Sequence, residues 1–235
     1  TSLYAALKEI KSERTNITTV EDPVEYQLDG VNQVQVFEDI GLTFGSTLRS
    51  ILRQDPDVLL IGEIRDEETA DIAVKFALTG HLVFSTVHAN DAPGTITRLL
   101  DIGIAPFLVG SCLNLVMAQR LVRRLCNNCK EEYTPTKQEL GLVGLDPSRV
   151  PNSLYKAKGC AECRNTGYKG RLAIFEMIPM ARDLRKLVFD NANEDDIRQA
   201  SLKNGMETLR EAGLARILDG TTSIEEVLRS TVEEL

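Results

Sequence analysis

The sequence predicts an α/β protein in which helices flank a parallel sheet, followed by a small cysteine-rich subdomain and a helical C-terminal region. Helical and strand patterns alternate from residue 1 to about residue 103, which is typical of a parallel sheet covered by helices. The continuous apolar run at 58–61 suits a strand that is buried on both faces. Two Cys-x-x-Cys pairs then lie in a stretch of weak periodicity, which indicates a separate small subdomain.

The first elements follow from periodicity and from proline. Apolar residues at helical spacing predict a helix over 2–13, and the β-branched stretch 16–20 predicts the first strand. Pro23 ends that strand because it has no N–H to donate to a neighbouring strand. A second strand is expected over 33–36, and a helix within 44–56 must end near the Asp-Pro pair that closes this range.

Two further strand–helix pairs follow along the chain. The apolar run 58–61 leads into a helix over 66–79, whose first residue is a suitable N-cap and which Gly80 follows as the C′ residue. A second buried strand is predicted over 82–84. The next helix opens at 91–93, where proline is tolerated in the first turn.

Beyond this α/β region the pattern changes twice. Residues 105–124 predict one long helix that finishes in arginines, whose charge suits the negative end of the helix dipole. The next stretch is rich in Cys, Gly, Pro, Asn and Lys, and the pattern turns helical again from residue 181. Breaks in the helical region are expected near 191–193, 204–205 and 219–220. The expected parts are a core at 1–124, a cysteine subdomain at 125–172 and a helical region at 173–235.

Composition and charge exclude several classes of protein. The chain has 27 Lys and Arg against 35 Asp and Glu, a net charge of -8, and 5 % aromatic residues. This acidity disfavours a protein whose whole surface binds nucleic acid or anionic lipid, and few aromatic side chains are present for base stacking. No apolar run reaches the roughly 18 residues that span a membrane. The sequence has no initiator Met and no basic-then-apolar leader, so we expect a cytoplasmic protein cut from a longer one.

The clearest local motif is a pair of Cys-x-x-Cys knuckles, formed by Cys126 with Cys129 and by Cys160 with Cys163. Four thiolates complete a tetrahedral shell for Zn2+, and such a site is structural because no ligand position stays open. Basic side chains that favour thiolate formation lie nearby in the sequence: Arg123, Arg124, Lys130, Lys158 and Arg164. The alternatives are four unrelated thiols or a redox pair. Cys112 stands alone on an apolar helix, where we expect it to serve packing.

Three of the predicted strands end in polar residues, at the edge where parallel sheets bind ligands. These residues are Glu21, Asp22 and Glu25 after the first strand, Glu63, Arg65 and Asp66 after the third, and Thr86 and His88 after the fourth. Residues 57–63 resemble a Walker B strand, which delivers a carboxylate to Mg2+ and nucleotide, although Gly62 stands where an Asp is usual. The coincidence of three groups at one edge predicts a binding site more strongly than any single group.

Each group also has a plainer interpretation. Buried strands commonly end in Gly or an acidic residue, so the Walker B likeness of 57–63 is weak taken alone. The acidic residues within 21–25 would repel one another if packed together. They therefore either converge, which implies a cation or a raised pKa, or form an exposed acidic turn. His88 can sense a phosphate or simply belong to a turn, and His81 is assigned no chemistry.

Taken together, these residues resemble the secretion ATPases that drive type II secretion and type IV pilus assembly, and the resemblance covers nearly the whole chain. The matching segments are 1–7, 20–25 (VEDPVE, the Asp box), 48–57, 62–66 (GEIRD, the Walker B region), 79–81 with 85–91 (the His box) and 118–126. Their order along the chain is that of the family.

The resemblance implies a RecA-like ATPase core that assembles as a homo-hexamer and uses ATP, Mg2+ and Zn2+. By the same resemblance, Glu25 positions or deprotonates the attacking water, Glu63 binds Mg2+ through water, and His88 lies beside the γ-phosphate. Further candidates for nucleotide and Mg2+ binding are Glu21, Asp22 and Thr86. The tetracysteine motif indicates the assembly and secretion branch, because the pilus-retraction branch is expected to lack it.

The resemblance also implies a setting for the intact protein. It is expected in the cytoplasm, held peripherally at the inner membrane by the membrane-embedded platform and other cytoplasmic-membrane components of a pilus or secretion machine. Nucleic acid is not an expected partner. The motifs are shared by pilus, secretion and competence systems.

The sequence departs from the family in two ways. The phosphate-binding loop G-x-x-x-x-G-K-[ST] does not occur in it, and neither does the preceding domain that supplies arginines in the family. Without the N–H groups and lysine of that loop, we expect this chain alone to bind ATP poorly and to hydrolyse hardly any. The alternative function is a zinc-containing docking module that hydrolyses nothing. A nucleic-acid-handling zinc protein is disfavoured by the net charge of -8.

Overall fold

A computed structural model describes residues 2–145, 150 and 153–231 of the protein. The helices within them are α1 (Ser2–Ile10), α2 (Phe44–Ile51), α3 (Glu67–Leu78), α4 (Ala92–Asp101), α5 (Pro106–Cys112), α6 (Lys137–Val143), α7 (Arg182–Phe189), α8 (Glu194–Lys203), α9 (Leu209–Leu218) and α10 (Ile224–Ser230). The strands are β1 (Ile17–Glu21), β2 (Asn32–Gln35), β3 (Val58–Ile61), β4 (Leu82–Ser85), β5 (Leu115–Leu125), β6 (Glu131–Tyr133), β7 (Leu154–Lys156) and β8 (Tyr168–Pro179). Thr1 of the matching segment 1–7 lies outside the described residues, as do parts of the two predicted C-terminal ranges.

The chain divides into two compact units. The first unit combines Thr1–Asn114 with Met180–Ala200, and the second combines Leu115–Pro179 with Ser201–Leu235. The predicted divisions at 124/125 and 172/173 do not coincide with these units. Both fall inside β5 and β8, two strands that pair along their length and therefore stay in one unit.

The first unit contains the predicted parallel sheet, in the order β2-β1-β3-β4 with all neighbouring strands parallel. Every residue of β1 and β3 is buried, as the apolar run at 58–61 predicts for strands covered on both faces. The prediction of a second buried strand at 82–84 is wrong in one respect. β4 lies at the edge of the sheet in the described part of the chain, and Leu82 at its start is 40 % exposed.

The predicted helix boundaries are largely confirmed because they depend on local hydrogen bonds. The Asp66 side chain accepts from the Thr69 N–H at 2.8 Å and caps α3, which Gly80 follows with a φ of +99°. Asp91 caps α4 in the same way through the Gly94 N–H. The three breaks expected after residue 181 separate α7, α8, α9 and α10.

The single long helix predicted over 105–124 is wrong beyond Cys112. The chain forms the short helix α5 and then β5, which pairs antiparallel with β8 from Leu115 opposite Pro179 to Leu125 opposite Tyr168. Apolar residues occur on both faces of β5, so its sequence lacks the alternation that identifies a strand with one solvent-facing side. Pairing with a strand more than forty residues away decides the conformation.

The second unit has more apolar core than its composition suggests. Buried residues from the cysteine-containing range pack with the two C-terminal helices: Leu140, Val143, Leu154, Ile217, Ile224 and Val227. A second cluster joins Val122 and Ile174 of the β5–β8 pair to Leu209 of α9. The second unit therefore has apolar clusters in addition to the four cysteines. Within the described residues, no helix combines the length and apolar character that crossing a membrane requires.

Candidate functional site

The carboxyl ends of β1, β3 and β4 meet at one edge of the parallel sheet. Val20 pairs with Ile61, and Ile61 pairs with Ser85, so the residues that follow each strand leave the sheet side by side. This is the edge at which open parallel sheets bind ligands. The three polar groups predicted from the sequence therefore begin at neighbouring positions.

Hydrogen bonds join the three strand ends through Gly62. The Gly62 N–H donates to the Val20 carbonyl at 2.7 Å, and the Thr86 hydroxyl donates to the Gly62 carbonyl at 2.7 Å. The Ile64 N–H donates to the Thr86 carbonyl at 2.9 Å. A Cβ atom at Gly62 would lie 3.3 Å from the Glu21 Cα, so the missing side chain permits this close approach of two strands.

Glu63 lies between two cationic or potentially cationic partners. One carboxylate oxygen accepts from the Nε2 of His88 at 3.1 Å, and the other pairs with the Arg65 guanidinium. The Glu63 side chain is only 12 % exposed, whereas that of His88 is 85 % exposed. The hydrogen bond to Glu63 raises the pKa of Arg65, and the negative charges of Asp22 and Glu38 raise it further. The structure thus brings Glu63, His88 and Arg65 into contact.

The acidic residues after β1 divide into an inward and an outward set. Glu21 is 4 % exposed, and its carboxylate accepts hydrogen bonds from the Tyr4 hydroxyl, from the Thr19 hydroxyl at 2.6 Å and from the Gln33 amide at 3.3 Å. Burial and the contact with Glu21 raise the pKa of Tyr4 to about 12, so this phenol stays a proton donor. Glu21 is therefore part of the interior framework.

Asp22 and Glu25 are exposed on the connection between β1 and β2. The Glu25 N–H donates to the Tyr4 oxygen at 3.3 Å, which ties this connection to the same phenol that holds Glu21. The three acids are thus neither all packed together nor all in an exposed turn. Glu25 is exposed, and the hydrogen bond from its N–H to Tyr4 joins its loop to the buried network.

The sequence analysis placed Arg65 among the polar residues at this edge without giving it a role, and it did not include Tyr4. A signal for Arg65 exists, because residues two apart in an extended segment face the same side, and Arg65 is two residues after Glu63. No sequence signal marks Tyr4 as a partner of Glu21, since the two are seventeen residues apart on different elements.

The four predicted metal-binding cysteines converge, with all four sulfur atoms within 4.8 Å of one another. The Sγ atoms of Cys126 and Cys160 are 4.0 Å apart, and Cys163 Sγ is 3.7 Å from those of Cys129 and Cys160. Four thiolates bound at about 2.3 Å around one Zn2+ have a tetrahedral edge of about 3.8 Å. The donor set and its spacing fit that ion.

The backbone around the cluster is built for close approach to sulfur. The N–H groups of Cys160 and Gly167 each donate to Cys163 Sγ at 3.2 Å. Gly167 has a φ of +77°, and a Cβ atom there would lie 2.5 Å from the Cβ of Ala157, so only glycine fits. The second knuckle is therefore held in shape by its own backbone.

The pKa values of two thiols in the cluster are shifted in opposite directions. Burial raises the pKa of Cys163, but the N–H groups of Cys160 and Gly167 outweigh it and lower that pKa to about 6. Burial and the neighbouring thiols raise the pKa of Cys129 to about 12. Of the basic residues expected nearby, Lys158 pairs with Glu131 at 2.8 Å, which raises the pKa of Lys158, and the charge of Cys129 adds to this shift. Lys130 donates to the Gly220 carbonyl at 3.0 Å.

Cys112 is separate from this cluster. It is half-buried, burial raises the pKa of its thiol, and its Sγ donates to the Val109 carbonyl at 3.7 Å. These features agree with a packing role.

The fold and these sites define a class: an α/β protein whose parallel sheet carries an acid–imidazole cluster at its carboxyl edge, joined to a tetracysteine unit. The family model described as Type II/IV secretion system protein matches residues 1–229. This chain therefore belongs to that family.

Curated relatives are similar along the whole chain. It is 50 % identical over 236 residues to the type IV pilus assembly ATPase PilB of Myxococcus xanthus, covering 100 % of this chain and 42 % of that protein. It is 48 % identical over 234 residues to type II secretion system protein E of Pseudomonas aeruginosa, covering 100 % of this chain and 46 % of that protein. The chain thus spans less than half the length of these relatives.

Solved structures share the fold. The pilus retraction motor PilT with bound ADP has a TM-score of 0.70 and 26 % identity, covering 99 % of this chain and 57 % of that one. The ATPase DotB of Yersinia pseudotuberculosis has a TM-score of 0.70 at 20 % identity, covering 98 % of this chain and 53 % of that one, which is a likeness of fold alone.

Proposed function

We propose that this chain carries the acidic part of the ATP site of a homo-hexameric, RecA-like motor ATPase that powers type IV pilus assembly or type II secretion. The observation that carries the proposal is the contact of Glu63 with His88 at the carboxyl edge of the sheet. Its relatives among pilus assembly and type II secretion proteins support the choice of system.

The substrate in this proposal is ATP with Mg2+, and the ion supplies charge neutralisation for the phosphates. Glu63 would hold Mg2+ through water, and Asp22 would add negative charge at the same edge. Glu25 orients the attacking water and accepts its proton. His88 donates to the phosphate that is transferred, and Arg65 pairs with the Glu63 carboxylate.

Two residues that the sequence named as nucleotide or Mg2+ ligands take supporting parts in this mechanism. Glu21 is engaged with three donors in the interior and holds β1 and the loop of Glu25 in place. Thr86 fixes the start of the His88 loop, because its hydroxyl donates to the Gly62 carbonyl. Preorganised groups of this kind lower the barrier because they need no rearrangement during reaction.

The tetracysteine cluster is assigned to Zn2+ in a structural role. Cys126, Cys129, Cys160 and Cys163 would fill all four positions of a tetrahedral ion, so none is open for substrate. Purified protein is expected to contain about one zinc ion per chain. A metal-free preparation whose residues 126–167 are as well protected from hydrogen exchange as those of the zinc-containing protein would contradict this assignment.

The proposal extends to the setting of the longer protein. In this proposal the longer protein acts in the cytoplasm and binds the membrane-embedded platform at the inner membrane, and nucleic acid is not a partner. The phosphate-binding loop is absent from these 235 residues, so we propose that this chain alone has little ATP affinity and little turnover.

The test compares this chain with the longer protein that carries it. We expect ATP turnover from the longer protein only, and a loss of about a hundredfold or more in kcat for Glu63→Gln. Glu207→Gln is the matched control, because Glu207 is an exposed acid outside the site. Robust hydrolysis by this chain alone would contradict the proposed inactivity. Full activity of Glu63→Gln would contradict the assignment of the site, and a longer protein without any turnover would favour a docking module.

A further inference from the structure

Helix α8 brings an arginine to the start of α4, close along the chain to the proposed nucleotide site. The Arg198 Nη2 lies 2.7 Å from Asp91 Oδ2 and 2.7 Å from Glu194 Oε1. Arg198 and Asp91 are 107 residues apart in the sequence, and both belong to the first unit. Both side chains are mostly buried, so water screens this ion pair less than one at the surface.

Asp91 uses its two carboxylate oxygens for different purposes. Oδ1 accepts from the Gly94 N–H at 2.8 Å and caps α4, while Oδ2 faces Arg198. A Cβ atom at Gly94 would lie 3.0 Å from Asp91 Oδ1 and 3.4 Å from Glu194 Oε2. Glycine at this position therefore lets both acids approach the helix start, and Arg198 offsets their charge.

The segment from residue 86 to residue 91 is held at both ends. Thr86 is bonded to Gly62 and Ile64 at one end, and Asp91 is bonded to Arg198 and Gly94 at the other. His88 lies between these anchors with its side chain 85 % exposed. Because so little packing surrounds the imidazole, its position depends on where the two ends of the segment are fixed.

We propose that Arg198 is a positioning residue for His88, acting through Asp91. This inference rests on the proposed function only in that His88 is taken to act at the nucleotide. With this role for Arg198, helix α8 helps to determine the geometry of the site. In the sequence, α8 follows the long strands of the second unit. A displacement of α8 would move the Asp91 end of the segment and reduce catalysis without removing any group that touches ATP.

The first test measures hydrogen–deuterium exchange in this chain. Arg198→Gln and Asp91→Asn each remove the ion pair, and Asn keeps the helix cap. Both are expected to speed hydrogen exchange over residues 86–94 by about tenfold, because each variant loses one charge-assisted hydrogen bond. The control is Arg216→Gln, which breaks a 3.0 Å ion pair with Asp219 at the end of α9. This variant should leave the exchange rates of residues 86–94 unchanged. Unchanged exchange in both variants, or a uniform rise across the chain, would overturn the inference.

The second test measures ATP hydrolysis by the longer protein. Arg198→Gln is expected to lower kcat about tenfold while KM for ATP stays the same, and Arg198→Lys should restore part of kcat. The double variant with Asp91→Asn should be no worse than either single one, because both act through one contact. A wild-type kcat in Arg198→Gln would overturn the inference, and so would a double variant whose loss of kcat is the sum of the two single losses. If the wild-type longer protein itself shows no turnover, the proposed function fails, and the exchange experiment still decides whether Arg198 positions the segment.

Discussion

Replacing Glu226 by Gln tests a buried charge in the second unit. The Glu226 side chain is 0 % exposed, and its carboxylate accepts hydrogen bonds from two arginines and one backbone group. Arg123 Nη2 lies at 2.6 Å and the Arg123 N–H at 2.9 Å, while Arg229 Nη2 lies at 2.7 Å. These contacts join α10 to β5. Gln keeps the shape of the side chain and removes the charge.

The size of the effect follows from the pKa of Glu226. Burial raises this pKa, but the hydrogen bonds from Arg229 and Arg123 outweigh burial and lower it from 4.5 to about 2. Each pKa unit corresponds to about 1.4 kcal/mol, so ionised Glu226 stabilises the fold by about 3 kcal/mol. Both guanidinium groups are partly exposed, and solvent screening reduces the measurable loss in Glu226→Gln to about 2 kcal/mol.

The sign of the pH dependence is fixed by the same shift. A carboxyl group whose pKa is lower in the folded state stabilises the protein above its unfolded pKa. The stabilisation from Glu226 is therefore complete at pH 7 and is lost as the pH falls from about 4.5 towards about 2. The difference between the wild type and Glu226→Gln should shrink over this range.

The assay is urea unfolding of the wild type and the variant under identical conditions, followed by circular dichroism at several pH values. Glu225→Gln is the matched control, because Glu225 is the preceding acid on α10 and is exposed. We expect it to change the free energy of unfolding by less than about 0.5 kcal/mol. A Glu226→Gln variant as stable as this control at pH 7, or a difference that does not change below pH 4.5, would refute the reasoning.

Three other predictions concern the cysteine cluster and the support of the sheet edge. Chelation of the proposed Zn2+, or Cys163→Ser, should increase hydrogen exchange at residues 126–167 before the parallel sheet loses its protection. Simultaneous loss of protection in both regions would contradict this. Gly167→Ala should cost about 2 kcal/mol or more in urea unfolding, because its φ is +77° and the new methyl group would meet Ala157. Gly144→Ala, with a φ of +72° and open space around it, measures the backbone strain alone and should cost less. Tyr4→Phe should lower the free energy of unfolding by about 1 to 3 kcal/mol, because Glu21 loses a buried donor, and an unchanged thermal midpoint would argue against the framework role of Glu21.

Much of the fold could be predicted because it depends on neighbours in the sequence. Asp66 and Asp91 cap helices through N–H groups three residues away, so their effect is visible in a short window. The buried run at 58–61 follows from its composition in the same way. Glu63 and His88 were predicted to meet because parallel strands bring their carboxyl ends to one edge.

Other features required contacts across the chain. β5 has apolar residues on both faces and fits a helix equally well until β8 pairs with it. Glu21 and Glu25 are acids of one short segment, and only the donors Tyr4, Thr19 and Gln33 determine that Glu21 turns inward.

The sequence by itself determined the order of helices and strands up to about residue 103, the helix caps, the four cysteines that converge and the edge of the sheet where the candidate site lies. Tertiary structure alone decided the antiparallel strand pair, the inward direction of Glu21 and the approach of Arg198 to Asp91. The physical reason is the separation along the chain between the groups that interact. Caps and periodicity act within one or two turns, whereas strand pairing and buried charge depend on groups that the chain brings together only when it folds.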